Sequence, residues 1–177
     1  MAIYLYTGDG AGKTTNALGL ALRSIGHNHR VLMVQLLKWN KETGEYKARE
    51  LIDNFDIYQF GRKGWHGEKN LTTEDKKLAM EGLTFAVKRV TNSNVYNSIK
   101  YDLLILDELN LVVYYGLVPE KVAIDALDEI TLSCPDLDVV ITGRHAPESL
   151  KNRADYVNEI NTIKEPKIVD CKEGIQY

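Results

Sequence analysis

The chain has 177 residues, with 22 Lys and Arg against 25 Asp and Glu, for a formal net charge of −3. That length suits one domain spanning 1–177 with a proper core. The mild acidity excludes broad electrostatic attraction to DNA, RNA or anionic lipid, so small molecules rather than nucleic acid are the expected partners.

The two cysteines, Cys134 and Cys171, are too far apart in sequence to form a metal-ligand pair or a disulfide framework, which points to a reducing compartment. Met1 runs straight into an apolar strand, leaving no room for a signal peptide, and no apolar run approaches membrane-spanning length. The expectation is a cytoplasmic protein with no membrane partner.

Residues 2–6 read as a strand and 14–25 as a helix whose apolar face is Ala17, Leu18, Ala21, Leu22 and Ile25, closed by Gly26. Between them lies Thr7-Gly8-Asp9-Gly10-Ala11-Gly12-Lys13-Thr14-Thr15. The P-loop pattern is Gly, four arbitrary residues, then Gly-Lys-Ser/Thr; the end fits, while Thr7 takes the place of the first glycine. The glycines let the backbone wrap around phosphate oxygens, Lys13 supplies a mobile positive charge, and the helix adds the positive end of its dipole. The Thr14 hydroxyl is positioned to ligate a magnesium ion held by those phosphates. A plain glycine-rich turn is the competing reading, but it needs no Lys-Thr after the glycines.

The nearly continuous apolar run 31–37 marks a strand buried on both faces in a parallel sheet, with Gln35, Lys38 and Trp39 at the carboxyl edge where open α/β sheets place ligands. A short helix over 46–52 and a strand over 55–60 follow. Gly61-Arg62-Lys63-Gly64-Trp65-His66-Gly67 reads equally as a mobile binding loop or as an exposed loop with one packed Trp. Thr72 with Asp75 caps a long helix to about Val90, with Leu78, Leu83, Phe85, Ala86 and Val90 as packing and Lys76, Lys77, Lys88 and Arg89 as its solvated face. A polar connection fills 92–100.

The second informative stretch is Tyr101-Asp102-Leu103-Leu104-Ile105-Leu106-Asp107-Glu108-Leu109-Asn110. An apolar strand that delivers adjacent carboxylates, Asp107 and Glu108, is what a P-loop needs to hold magnesium directly or through water. Alone, the pair also reads as a helix cap or an acidic turn; joined to the first loop, it reads as half of a nucleotide site.

A helix from Pro119 to about Leu132 buries Val122, Leu127 and Ile130, and a strand over 137–141 delivers Thr142-Gly143-Arg144-His145 to the ligand edge. There Arg144 is a phosphate contact or else a surface salt-bridge partner. A short helix over 148–153, a strand over 156–160 and an edge strand over 167–171 complete the chain. His27, His29, His66 and His145 show no metal or triad spacing, and His27 and His29 belong to a solvent-facing helix end. Strand–helix alternation throughout predicts an α/β fold with a mostly parallel sheet and right-handed crossovers.

With both halves of the nucleotide site in view, the chain resembles the P-loop ATP:corrinoid adenosyltransferases, which act on cob(I)alamin or cob(I)yrinic acid a,c-diamide. The resemblance rests on residues 7–15, Ala21-Leu22-Arg23-Ser24-Ile25-Gly26-His27, Val34-Gln35-Leu36-Leu37-Lys38, Leu106-Asp107-Glu108-Leu109-Asn110, Ile141-Thr142-Gly143-Arg144 and Gly174-Ile175-Gln176-Tyr177. It implies a three-layer, RecA-like P-loop NTPase fold and transfer of the 5′-deoxyadenosyl group of ATP to the Co(I) of a reduced corrinoid, with tripolyphosphate leaving.

Co(I) is a nucleophile with no proton to lose, so no general base is required. The polyphosphate is what needs stabilising. By the resemblance, Lys13, Thr14 and Glu108 act on ATP and magnesium with Asp107 supporting, and the cofactor-binding set extends to residues 7–15, Arg23, Gln35, Lys38, Arg144 and Trp65. Trp65 matches a loop Trp that keeps the lower axial base off cobalt, while Lys63 stands near the place of its companion Phe. The resemblance also implies a homodimer and an electron donor such as a reduced flavoprotein. Because the first strand starts at once, where better-known members carry an N-terminal helical extension, the cover of the site is expected to differ. Two other readings remain at this stage: a P-loop small-molecule kinase, which would release ADP, and a corrinoid-binding module that binds ATP without consuming it.

Overall fold

A computed structural model of the chain describes residues 1–64, 70–91, 99–167 and 172–175. In chain order its elements are β1 (Ile3–Thr7), α1 (Lys13–Ile25), β2 (Val31–Leu36), α2 (Gly44–Ala48), β3 (Phe55–Phe60), α3 (Thr73–Thr91), β4 (Leu103–Asp107), α4 (Leu109–Tyr114), α5 (Glu120–Ser133), β5 (Asp138–Thr142), α6 (Glu148–Arg153) and β6 (Tyr156–Glu159). The strands form one six-stranded sheet in the order β3-β2-β4-β5-β1-β6, and every pairing is parallel.

Side chains on a strand alternate between faces, so a strand covered on both sides is apolar at nearly every position. On one face Leu32, Val34 and Leu36 of β2, with Leu104 and Leu106 of β4, pack against Ala79, Leu83 and Ala86 of α3 and Ala123, Leu127 and Ile130 of α5. On the other, Val31, Met33, Leu103, Ile105 and Val140 meet Ala17 and Ala21 of α1. The result is the expected three-layer α/β arrangement. Each fully buried Leu, Ile or Val contributes roughly 1.5–3 kcal/mol, so these two layers dominate the folding free energy.

Several boundaries and faces differ from expectation. β2 ends at Leu36 because Leu37 turns into the left-handed region at φ 59°, its N–H bonding Phe60 O at 3.0 Å. The short helix after it is Gly44–Ala48 rather than 46–52. Leu22 is 64% exposed and so leaves the apolar face of α1, while Val122 is only half-buried. Arg89 is not simply solvated, since its Nε donates to the Tyr101 hydroxyl at 3.2 Å.

Asp75 does cap α3, accepting the Thr72 N–H at 2.7 Å and the Thr72 hydroxyl at 2.9 Å, but it also takes Arg62 at 3.0 Å. That ion pair ties the loop after β3 to the start of α3. Of the expected edge strand over 167–171, positions 168–171 lie outside the described residues, as do 92–98 of the polar connection.

Candidate active site

Register places the site. Gln35 on β2 pairs with Gln59 on β3 and with Asp107 on β4, and one position earlier Leu106 pairs with Ile141, which puts Thr142 of β5 beside Asp107. Four strands thus end in a polar row. Alternation from Met33, Ile105 and Val140 directs Gln35, Asp107 and Thr142 to the α1 face, where α1 begins with Lys13 and Thr14.

Asp107 is the centre of that row and is fully buried. Its Oδ1 accepts from Thr142 Oγ1 at 2.6 Å and Thr14 Oγ1 at 2.9 Å; its Oδ2 accepts from Gln35 Nε2 at 3.1 Å and pairs with Lys38 Nζ at 2.7 Å. Burial alone would raise its pKa, but the Lys38 charge and the hydroxyl hydrogen bonds hold it below the usual carboxylate range. The Lys38 ammonium shows the reciprocal balance: burial disfavours its charge, and Asp107 more than restores it. With all four donors aimed at it, Asp107 is a fixed anion rather than a base. Gln59 extends the row, donating to Gln35 Oε1 at 3.0 Å and to Asn40 O at 3.1 Å.

The loop from Thr7 to Lys13 is shaped by β6 as well as by any phosphate. A Cβ on Gly8 would strike the Ile160 carbonyl, and one on Gly10 would come within 2.8 Å of it. The Gly10 N–H bonds Ile160 O at 2.8 Å, so this donor faces the segment after β6 and not the cradle. Gly12 is different. At φ 110° with nothing within 4 Å of a Cβ, it is glycine for its backbone alone and turns the chain into α1.

No side chain caps α1 and no acid lies in its first turn, which leaves the helix N-terminus to an anion. Lys13, buried, arches back to the carbonyls of Gly8 and Gly10, both at 2.6 Å. Burial lowers its pKa, and nearby Arg144 adds to the effect against Glu108 and Asp9.

Glu108 is the group with spare capacity. It sits at φ 65°, a conformation costing on the order of 1 kcal/mol or more for a non-glycine residue. Its N–H is held by Thr142 Oγ1 at 3.0 Å. Its Oε2 is buried with no hydrogen-bond partner. Burial and then the Asp107 charge raise its pKa, against the opposing pull of Lys38, Lys13 and Arg144. The charges of Lys38, Lys13 and Arg144 thus all act on this one carboxyl group.

The fold brings together Thr7 through Thr14, Gln35, Lys38, Asp107, Glu108 and Arg144, whose Nη2 lies 3.4 Å from Asp9 O. Ala11 and Thr15 are exposed at the loop's rim. Arg23 is not brought to the cradle: it is exposed near the far end of α1, roughly 15 Å from Lys13 at a rise of about 1.5 Å per residue. Trp65 lies outside the described residues.

Thr7, a departure from the glycine pattern, is buried and accepts the Ala146 N–H at 3.2 Å, fastening the loop to the turn after β5. Sequence reasoning passed over Thr142 as an Asp107 partner, Gln59, and Asn110. The last is fully buried and donates to Tyr6 O at 3.1 Å and Gly143 O at 2.9 Å. The available signal was a polar residue at or near the end of an otherwise apolar strand, repeated in Gln35, Gln59, Asp107 and Thr142.

Comparison with known proteins bears on the family and the fold. The family described as ATP:corrinoid adenosyltransferase BtuR/CobO/CobP matches residues 1–177. A corrinoid adenosyltransferase of Escherichia coli K12 is 30% identical, the match covering 99% of this chain and 85% of that protein. The corrinoid adenosyltransferase CobA of Salmonella typhimurium is 29% identical with the same coverage. Among solved structures, the flagellar accessory protein FlaH of Methanocaldococcus jannaschii superposes with a TM-score of 0.55 at 12% identity, over 89% of this chain and 70% of that one, a likeness of fold alone.

Proposed function

The chain belongs to the ATP:corrinoid adenosyltransferase family, and from that premise we propose that its single domain moves the 5′-deoxyadenosyl group of ATP onto the Co(I) of a reduced corrinoid and releases tripolyphosphate. The observation that carries the reading is the Thr14–Asp107 hydrogen bond, 2.9 Å long, which joins the phosphate loop to the acidic strand end.

Lys13 and the uncapped start of α1 grip the polyphosphate, and Arg144 neutralises it from the β5 side. The residues fit a magnesium ion: Thr14 offers a hydroxyl, and Glu108 has a buried carboxylate oxygen without a protein partner. Asp107 stands behind them as the fixed anion. A magnesium ion held by these residues would supply charge neutralisation for the departing phosphates.

The bond from the 5′ carbon to its oxygen breaks as the cobalt electron pair forms the new carbon–cobalt bond, and the oxygen leaves with the tripolyphosphate. No proton moves in that step. Asp107, saturated by four donors, has no role as a base.

Reaching Co(I) requires an electron donor, for which a reduced flavoprotein has the right chemistry, and the family resemblance further supports a homodimer. No described helix is long and apolar enough to cross a membrane.

Phosphate analysis tests the reading. With ATP, magnesium and verified Co(I) corrinoid, tripolyphosphate should appear in step with the light-sensitive carbon–cobalt absorbance. ADP as the product instead would assign Glu108, the raised carboxyl beside the loop, to activating an acceptor, and would replace this proposal with phosphoryl transfer.

A further inference from the structure

Lys38 occupies an unusual place. Its Nζ lies 2.7 Å from Asp107 Oδ2 and 3.3 Å from Thr14 Oγ1, so a cation already bridges two of the side chains assigned above to the magnesium side of the site. An ammonium and a divalent ion cannot share that position, because they repel one another and compete for the same lone pairs.

We propose that Lys38 is the protein's own counter-cation at the metal position, balancing the Asp107 charge beside Thr14 until a divalent ion takes its place and sends the ammonium toward the polyphosphate. The inference rests on the reading of Thr14 and Asp107 as the metal-side pair.

The surroundings suit an exchange confined to the side chain. Leu37, in the left-handed region, turns the chain just before Lys38 and is bonded through its N–H to Phe60 O. Gly61 then crosses so closely that a Cβ on it would lie 2.5 Å from Lys38 N. The backbone is pinned, and the four-carbon stem with its compact, rotatable ammonium is the part free to move. When Nζ leaves, Asp107 Oδ2 keeps Gln35 Nε2 at 3.1 Å and Oδ1 keeps Thr142 at 2.6 Å, so the buried carboxylate is not stripped of partners. An arginine fork at this site would bind more rigidly and give way less readily.

Metal binding measured without nucleotide tests this directly. Titration of Mn²⁺ followed by electron paramagnetic resonance should show Lys38→Met binding about tenfold more tightly than the native chain, since a competing like charge within a few ångströms is removed. Lys38→Arg should bind no more tightly than the native chain. Unchanged or weaker Mn²⁺ binding by a folded Lys38→Met protein overturns the proposal.

Because that variant leaves Asp107 short of a cation, the native chain supplies a second measurement. Acetylation of Lys38, read by mass spectrometry, should quicken several-fold at saturating Mn²⁺, and equal labelling with the metal bound overturns the proposal as well. Neither measurement involves a corrinoid. Failure of adenosyl transfer with both results intact would count against the function reading alone.

Discussion

Strands β2, β3 and β4 carry a charge cluster at each end, half-buried at the amino ends and buried around Asp107 at the carboxyl ends, and the two are built from different parts. At the amino ends, Asp56 Oδ2 accepts from the Tyr101 hydroxyl at 2.8 Å and pairs with Arg30 at 3.2 Å, while Arg89 Nε donates to the same Tyr101 oxygen. Both guanidinium groups also lie near the Tyr101 ring, at 5.9 and 5.8 Å. At the carboxyl ends, Asp107 is held by a lysine, two hydroxyls and an amide, with Glu108 beside it carrying an unpartnered oxygen.

The amino-end cluster uses two planar guanidinium groups around one fixed ring, so it closes on itself and staples three strands. The carboxyl-end cluster uses exchangeable donors around one immovable anion. Clustered charge alone therefore does not mark a site; spare coordination does.

The largest test of that contrast sets Lys13→Ala against Asp56→Asn. Removing the ammonium over the phosphate loop should lower the adenosylation rate by about a hundredfold or more while the fold persists. Asp56→Asn should cost stability on the order of 1–3 kcal/mol and leave the rate unchanged. Chemical denaturation and initial rates measured on both proteins check it. Equal loss of activity in the two would erase the distinction between staple and site.

A smaller effect is expected in the acid limb of the rate. The Glu108 carboxyl is pushed up by burial and by Asp107, so it takes a proton at a higher pH than an ordinary glutamate. The protonated group is a poor metal ligand, and activity should fall as pH drops through that raised value. Glu108→Gln should be roughly tenfold or more slower at neutral pH and should lose this limb. An acid limb of the same position in the variant would assign it to another group.

What the sequence made legible follows the range of each interaction. The phosphate loop, the acidic strand end and the layer order are local patterns, readable from the Gly-Lys-Thr run and from apolar strands alternating with amphipathic helices. Contacts set by register were not. Thr142 reaches Asp107 only because β5 lies next to β4, and Gly8 and Gly10 are needed because β6 brings the Ile160 carbonyl against them.

Arg23 shows the limit of reading place from sequence proximity. Its motif lies on the same helix as Lys13, yet sequence proximity along α1 carries it away from the phosphates. Lys38 was legible as a residue at the ligand edge, but its bridge between Thr14 and Asp107 needed three strand ends in place.

The smallest expected effect sharpens the amino-end side of the contrast. Tyr101 is buried, and burial together with the Asp56 hydrogen bond raises its hydroxyl pKa to about 12 from an ordinary 10.0. The folded chain thus favours the neutral phenol more than the unfolded chain does, so the stabilisation is fully present below pH 10 and is lost as pH rises toward 12. Tyr101→Phe removes one donor to Asp56 and one acceptor from Arg89, and should cost about 1 kcal/mol at neutral pH with no change in the rate or in KM for ATP. Urea unfolding of both proteins at neutral pH and at pH 11 should show the gap narrowing, because at pH 11 the phenol of the unfolded chain is ionised while the native one stays mostly neutral. A gap independent of pH would mean that the hydroxyl contributes packing alone, and the staple would then rest on the arginines.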